Sequence, residues 1–580
     1  MSSKLKFLKV IREKFRSGTL SFIFILAYIN VFQSIFGPEN SIVGVIFTIM
    51  MSASMVRDLT ATPFRHLFAQ SFVLVWLALA AYLTGVLAAP LSFIINFITL
   101  AVVLYAYTYE YSSHIYFPYI LSYLFLVFLA PVTSGQLPKR IAAMLAGAVS
   151  IMLYQWFMGR KRVRETARDV LSGMIDLIYG YICQRTGGVQ EQPDLAAMQS
   201  SLCRLSRTVY ERRKKVMCVS DASFNMIDAG RGLEHLMILL SELPEPLNGP
   251  DKKLLLRISG CLAEYRSFLH QEIASIPPLD SHDFQEDEDA RTAGLFSGTL
   301  DYVRDRLLHM SDPQKRSHYR PTALSFGVRL QAALDLSPVR AAYALRVALL
   351  LSCATSLVRY LALPHGKWLL FTLASVSLPY ADDVPGKIKK RVLATAAGGL
   401  ASVAIYSLIP SPAGRTAAMM LSGYLSFYFT DYAQTFAFST VGALGGAVFM
   451  STFGLRDVGG IFLIRMGYIL AGAAIGYVAN CLLIPYNRAA ATAQLLEKYR
   501  SVTTLLTQAC HGDRVDTQLY YNLVIQAHLQ EEKLAHNAGL EKWDSFPDIL
   551  AQCREQVRQA HRSRIEERTD APVFEPGHLV

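Results

Sequence analysis

The sequence predicts an all-α membrane protein made of two parallel-repeat bundles of about six transmembrane helices each. A helical cytoplasmic domain is expected between the bundles and a helical cytoplasmic region after them. Three observations carry this. Hydrophobic residues make up 52% of the 580 and charged residues only 17%, both displaced from soluble usage towards that of a membrane chain. The charges crowd into residues 1–16, 157–340 and 486–570, leaving two long charge-poor blocks. Each block divides into apolar runs near the ~17–25 residues a helix needs to cross hydrocarbon.

In chain order, MSSKLKFLKVIREKFRSG precedes an apolar run from Thr19 to Phe36 without a small-residue cleavage site, and so reads as a retained first span. The first block is expected to hold spans at 19–36, 41–57, 66–88, 91–108, 115–133 and 138–158, with Gly37–Asn40 and Arg57–His66 as separators. An even count returns the basic Arg160–Arg164 to the side of the basic start, the cytoplasmic side. Polar segments with helical periodicity follow at Val163–Cys183, Leu195–Val216, Phe224–Leu243, Leu254–Ile273 and Ala293–His309, broken by Gly- and Pro-rich turns. The acidic run Asp280–Asp289 reads as a solvated loop. The second block is expected to span at 339–361, 367–381, 389–409, 415–430, 432–453 and 461–485. Beyond Pro485, Ala489–Ala509 and Gln518–Ala538 read as amphipathic helices before a charged tail. The expected divisions are therefore 1–158, 159–338, 339–486 and 487–580, with both termini and the middle domain on the cytoplasmic side.

An internal match supports two equivalent blocks. RIAAMLAGAVSIML from Arg140 pairs with RMGYILAGAAIGYV from Arg465 at an offset of 325, both carrying Leu-Ala-Gly-Ala. Phe47, Thr48 and Asp58 pair with Phe371, Thr372 and Asp382 at 324. Six spans per block keep the two copies in the same orientation.

Several function classes drop out. The net charge of +11 flanks apolar segments, so it reads as membrane orientation and not as nucleic-acid binding. Eight cysteines without a CxxC pair predict neither a zinc site nor a disulfide framework. Gly366-Lys367 lacks the upstream glycine and the following hydroxyl of a phosphate loop. No cofactor or metal is expected, and the chain reads as a non-enzyme.

The stretch from Gly366 to Gly399 concentrates the candidate chemistry. Asp382 and Asp383 are followed within nine residues by Lys387, Lys389, Lys390 and Arg391, where two apolar runs meet. Charge beside hydrocarbon is costly and is retained for ion or substrate handling, although at a helix end it also snorkels to the headgroups. An aromatic carboxylate needs a cation and a ring face, and the planar guanidinium of arginine suits the first. Arg140, Arg346, Arg359 and Arg465 lie in or beside spans, with Trp368, Tyr424, Tyr432, Phe436 and the row Tyr105, Tyr107, Tyr109, Tyr111 available as rings. Asp58, Glu110, Asp382 and Asp431 are the carboxylates nearest to spans and the candidates for proton coupling. The Lys387–Arg391 cluster reads as several cations near water, whereas Arg465, among small residues, is expected to face the bundle interior.

The second block resembles the FUSC family, the fusaric acid resistance and aromatic acid exporter proteins. The resemblance rests on Arg346, Gly366–Trp368, Pro379, the basic turn to Arg391, Gly398 and Gly399, Tyr424, Asp431-Tyr432, Arg465, Gly472 and Pro485. The family's Arg-x-x-Gly-Thr stands here as Arg391-Val-Leu-Ala-Thr395, with glycines displaced to Gly398. The resemblance implies a multi-pass protein of the bacterial inner membrane that exports small, mostly aromatic, organic acids, driven by the proton gradient. An anion channel and a scaffold recruiting partners through its soluble helices are the alternatives. Expected partners are lipid, the organic acid, and a second copy of the chain or a periplasmic adaptor.

Overall fold

The computed structural model describes residues 3–55, 63–108, 115–159, 162–188, 192–211, 219–244, 246–279, 290–312, 314–315, 318, 337–409, 411–429, 431–450, 458–511 and 517–570. Within them the regular structure is helical. Two compact units emerge. Both apolar blocks form one (Met1–Val56, Pro63–Gln155, Leu336–Arg488), and both polar segments form the other (Trp156–Asp335, Ala489–Val580, with Arg57–Thr62).

The apolar unit contains α1 (Ser3–Phe36), α2 (Ser41–Ser54), α3 (Pro63–Val86), α4 (Ala89–Tyr107), α5 (Tyr116–Phe128) and α6 (Leu137–Gly159), then α12 (Pro338–Tyr360), α13 (Lys367–Val376), α14 (Val384–Leu408), α15 (Pro412–Leu425), α16 (Tyr432–Met450) and α17 (Val458–Leu482). Seven segments among the described residues are long and apolar enough to cross a membrane, lying in α1, α3, α4, α6, α12, α14 and α17. Seven of the twelve expected spans are thus matched by helices of spanning length. Helices α2, α5, α13 and α15 have only 14, 13, 10 and 14 residues, and even 14 residues rise only about 21 Å against a hydrocarbon core of ~30 Å. Backbone chemistry stops two of them early. Helix α13 ends at Ser377, which turns extended ahead of Pro379, and α15 runs into a 3₁₀ turn at Ser426–Tyr428.

A short helix at membrane depth is tolerated only where protein surrounds it. Helix α13 meets this condition, with Leu370, Leu373 and Val376 fully buried and α5, α12 and α17 packed around it. The two blocks also interleave: α12 packs along α4, and α1 touches α15. One continuous core, including Phe47, Leu104, Ile120, Leu351 and Leu373, draws residues from both blocks.

The matched sequence positions fall on matching helix crossings. A β-carbon on Gly147 of α6 would overlap the Phe47 ring of α2, and one on Gly472 of α17 would lie 3.0 Å from Cβ of Thr372 of α13. Small residues at these points let helix axes approach closely. The displaced glycines serve the same end, since a β-carbon on Gly398 would collide with the Ala437 carbonyl and one on Gly399 with the Phe462 ring. Asp58 lies outside the described residues.

The polar unit comprises α7 (Arg162–Thr186), α8 (Leu195–Glu211), α9 (Asp221–Glu242), α10 (Gly249–Leu269) and α11 (Ala290–Ser311), joined by α18 (Arg488–His511), α19 (Thr517–Glu541) and α20 (Phe546–Asp570). The periodic segments expected from sequence match α7–α11, α18 and α19, and α20 occupies much of the expected tail. The acidic run 280–289 lies outside the described residues. Helices α8 and α19 pack together, and the interface contains a polar network. Glu531 accepts from Gln199 at 2.9 Å and pairs with Arg554, and Arg558 reaches Glu234 at 3.1 Å. His528 shares a hydrogen bond with Ser206 at 2.6 Å, and burial, with Arg231 and Arg554 nearby, pushes its pKa down to about 3.

Two expectations follow. Gly398→Ala should destabilise by roughly 1–3 kcal/mol, because the obstructing atom belongs to backbone, whereas Gly442→Ala, with open space beside it, should be neutral or better. Heating the detergent-solubilised protein and following the soluble fraction by size exclusion checks this pair. The second concerns acid. The folded pKa of His528 lies below the ~6.5 of an unfolded imidazole, so the unfolded chain binds the extra proton and the polar unit loses stability as pH falls from about 6.5 towards 3. Glu234, whose carboxyl is raised chiefly by burial, works in the opposite sense. The thermal midpoint should therefore depend less steeply on pH in His528→Gln than in the parent.

Candidate functional site

Helix α14 begins after a short turn at Ala381–Asp383, with a proline in its first turn. Lys387 and Arg391 are four residues apart and share one face. Tyr432 and Phe436, at the start of α16, have the same spacing and meet that face. The Lys387 ammonium sits 3.3 Å from the centroid of Tyr432, and the Arg391 guanidinium 3.5 Å from that of Phe436. Lys390, turned to the side, bonds Asp431 at 3.1 Å. A third cation comes from α17, where Arg465 lies 5.3 Å from the ring of Trp368 on α13.

Burial separates these cations. Arg391 is 3% exposed and Arg465 6%, while Lys389 and Lys390 are exposed. The solvated cluster expected from sequence is thus split, with one member deep inside. Nε and Nη1 of Arg391 and Nε of Arg465 are buried without an acceptor. Among the described residues no carboxylate pairs with either guanidinium, and the charged group acting on Arg465 is Arg391. Asp431, the carboxylate at the start of α16, is held by Lys390. Helices α14 and α17 pack together, with Gly399 beside Phe462. Each arginine lies seven positions after the first residue of its helix, about 10 Å along the axis. Lys387, Arg391 and Arg465 form a row through the second block, each on an aromatic ring.

The other candidates are engaged elsewhere. Arg140, 1% exposed, donates Nε to Asn40 Oδ1 at 2.5 Å, Nη1 to the Ala130 carbonyl at 3.0 Å and Nη2 to the Glu39 carbonyl at 2.9 Å. Arg346 is fully buried and clamps the carbonyls of Leu378, Pro379 and Ile484, beyond the ends of α13 and α17. Asp382 accepts from the Arg488 backbone at 2.7 Å, and Asp383 pairs with the Arg488 side chain. These aspartates therefore hold Arg488, a residue not singled out in the sequence. Tyr424 bonds Thr19 at 2.8 Å and packs on Phe22 of α1. Tyr107 stacks on Tyr119. Glu110, Tyr109 and Tyr111 lie outside the described residues.

Apolar helices of spanning length around buried cations define a multi-pass membrane protein. Residues 352–479 match the family described as fusaric acid resistance protein-like, a stretch that contains Trp368, Lys387, Arg391, Tyr432, Phe436 and Arg465. Through this block the chain is similar to that family. Over 260 residues it is 25% identical to the inner membrane protein YccS of Escherichia coli (strain K12), which covers 43% of this chain and only 35% of the relative's length. No solved structure matches.

Proposed function

We propose that this chain is an inner-membrane exporter of small organic acids, aromatic carboxylates in particular, moved past Lys387, Arg391 and Arg465. The observation that supports this most is the pair of buried guanidiniums with unfilled N–H groups. An uncompensated cation in a low-dielectric interior is expensive, and a carboxylate that arrives and leaves supplies the missing acceptor. The rings of Tyr432, Phe436 and Trp368 hold the cations by cation–π attraction, worth about 0.5–2 kcal/mol each, and offer faces to an aromatic substrate. Because the carboxylate exchanges one ring-backed cation for the next, no single position has to bind it tightly. The relative's printed name, an inner membrane protein, agrees with the location.

Coupling to the proton gradient falls in this reading to Asp431, the described carboxylate tied to the row through Lys390. The polar unit and both termini face the cytoplasm, following the basic flanks of α1 and α7.

Arg465→Lys and Arg391→Lys retain charge but lose the planar fork, and each should lower efflux of benzoate from preloaded cells by roughly tenfold at matched membrane expression. Lys389→Ala, an exposed position, should leave efflux close to the parent. Normal export by both lysine variants would remove the reading. In proteoliposomes an imposed pH gradient should drive benzoate uphill, and Asp431→Asn should abolish that accumulation while sparing downhill flux. Flux that never exceeds equilibration would instead identify a channel.

A further inference from the structure

The helices of the polar unit enclose a cavity of about 60 Å³. Both polar segments build its walls. Arg231 and Glu234 of α9 come from the first, and His528 and Glu531 of α19 with Arg554 and Arg558 of α20 come from the second. One water takes ~10–15 Å³ of such space, so there is room for roughly four to six. That is the size of a small inorganic oxyanion and too little for a nucleotide or a lipid headgroup. An outer cleft of about 480 Å³ lies between Leu195 of α8 and Ala551 and Glu555 of α20, and Arg554 and Arg558 line it too. These two side chains are 28% and 24% exposed, so they stand between the cavity and solvent.

Three guanidiniums face two carboxylates in the cavity. Arg554 gives Nε and Nη2 to one oxygen of Glu531, at 2.8 and 2.5 Å. The other oxygen is taken by Gln199 at 2.9 Å and Tyr499 at 3.3 Å. Arg558 gives Nη2 to Glu234 at 3.1 Å, and its Nε is buried without an acceptor. Arg231 divides Nη1 between Asp228 at 3.2 Å and Tyr520 at 2.8 Å, and Asp228 is shared with Arg306 at 3.7 Å. A guanidinium has several N–H donors in a fixed fork, so these pairs use up acceptors before donors. Cations also dominate the field, since the charged groups acting on His528 are Arg231 and Arg554. Burial raises the Glu234 carboxyl and favours its uncharged form. An oxyanion suits this place because it accepts in several directions at once and matches the guanidinium fork.

We infer that this cavity binds inorganic phosphate, held by Arg231 of α9 and by Arg554 and Arg558 of α20. A phosphate there ties together two helices whose partners Glu234 and Arg558 are 324 residues apart, so its binding stabilises the polar unit. The site is independent of the row on α14 and α17.

The test uses the full chain in phosphatidylcholine nanodiscs, titrated with radiolabelled inorganic phosphate in about 0.15 M chloride. Binding should saturate at about one phosphate per chain, raise the thermal midpoint, and persist in Arg465→Gln. Arg558→Gln should weaken it on the order of tenfold. Should that variant lose stability by leaving Glu234 unpaired, Ala527→Val narrows the cavity without changing charge and should weaken binding on the same scale. No saturable binding up to about 10 mM phosphate, or unchanged binding in folded Arg558→Gln and Ala527→Val proteins, would overturn the inference. Loss of binding in Arg465→Gln would overturn it by moving the anion to the apolar unit. Equal displacement by acetate, or tighter binding of AMP than of phosphate, would do so by assigning the arginines to a carboxylate or to a larger ligand in the outer cleft.

Discussion

The apolar unit is organised by what a guanidinium requires once it leaves water. Arg140, Arg346, Arg391 and Arg465 are all buried, and a charge in that setting must be compensated by dipoles, by an ion or by a ring face. Arg140 and Arg346 take the first solution. Arg391 and Arg465 rest on aromatic faces instead of carbonyls, and that difference separates the structural arginines from those proposed to meet substrate.

Dipoles of the first kind exist because helices break. Helix α13 stops well short of a membrane thickness, which leaves the carbonyls of Leu378 and Pro379 beyond its end, and Arg346 from α12 takes them up. The same side chain reaches the Ile484 carbonyl after α17. A broken helix and a buried arginine thus make each other tolerable, since unsatisfied carbonyls are as unwelcome in hydrocarbon as an unpaired cation. Close approach of α13 to α17, through Gly472 and Gly476, follows from the same economy of space.

Much of this was legible in the sequence. Long apolar runs located the spans, and Leu-Ala-Gly-Ala after each matched arginine marked two segments able to approach another helix closely, because both depend on local composition and side-chain size. Helix length was harder to read, since the apolar run is expected to continue to 381 while the backbone leaves the helix ahead of Pro379. Burial of Arg391 was hidden for a different reason. Four neighbouring basic residues look alike until α16 sets which face of α14 is inside, and that is a tertiary fact. The assembly of α18–α20 with α7–α11 depends on pairs such as Gln199–Glu531, more than 300 residues apart, for which local periodicity carries no signal.

The matched arginines 140 and 465 end in opposite situations, and the reason is a local substitution of chemistry. Arg140 is met by Asn40, whose amide oxygen accepts its Nε–H. At the corresponding offset in the second block stand Pro364 and His365, which supply no amide. The Pro364 carbonyl is taken by Tyr468 at 2.8 Å, and His365 stacks on Trp368 at 4.9 Å. Arg465 is left with the Trp368 ring of this pair in place of an acceptor. A ring satisfies a cation only in part, because it answers the charge and not the N–H vectors. The first block therefore seals its arginine with groups that cannot leave, while the second leaves donors that an anion can fill and vacate. Under the proposed transport reading, that asymmetry gives one block the rigid role and the other the exchange of substrate.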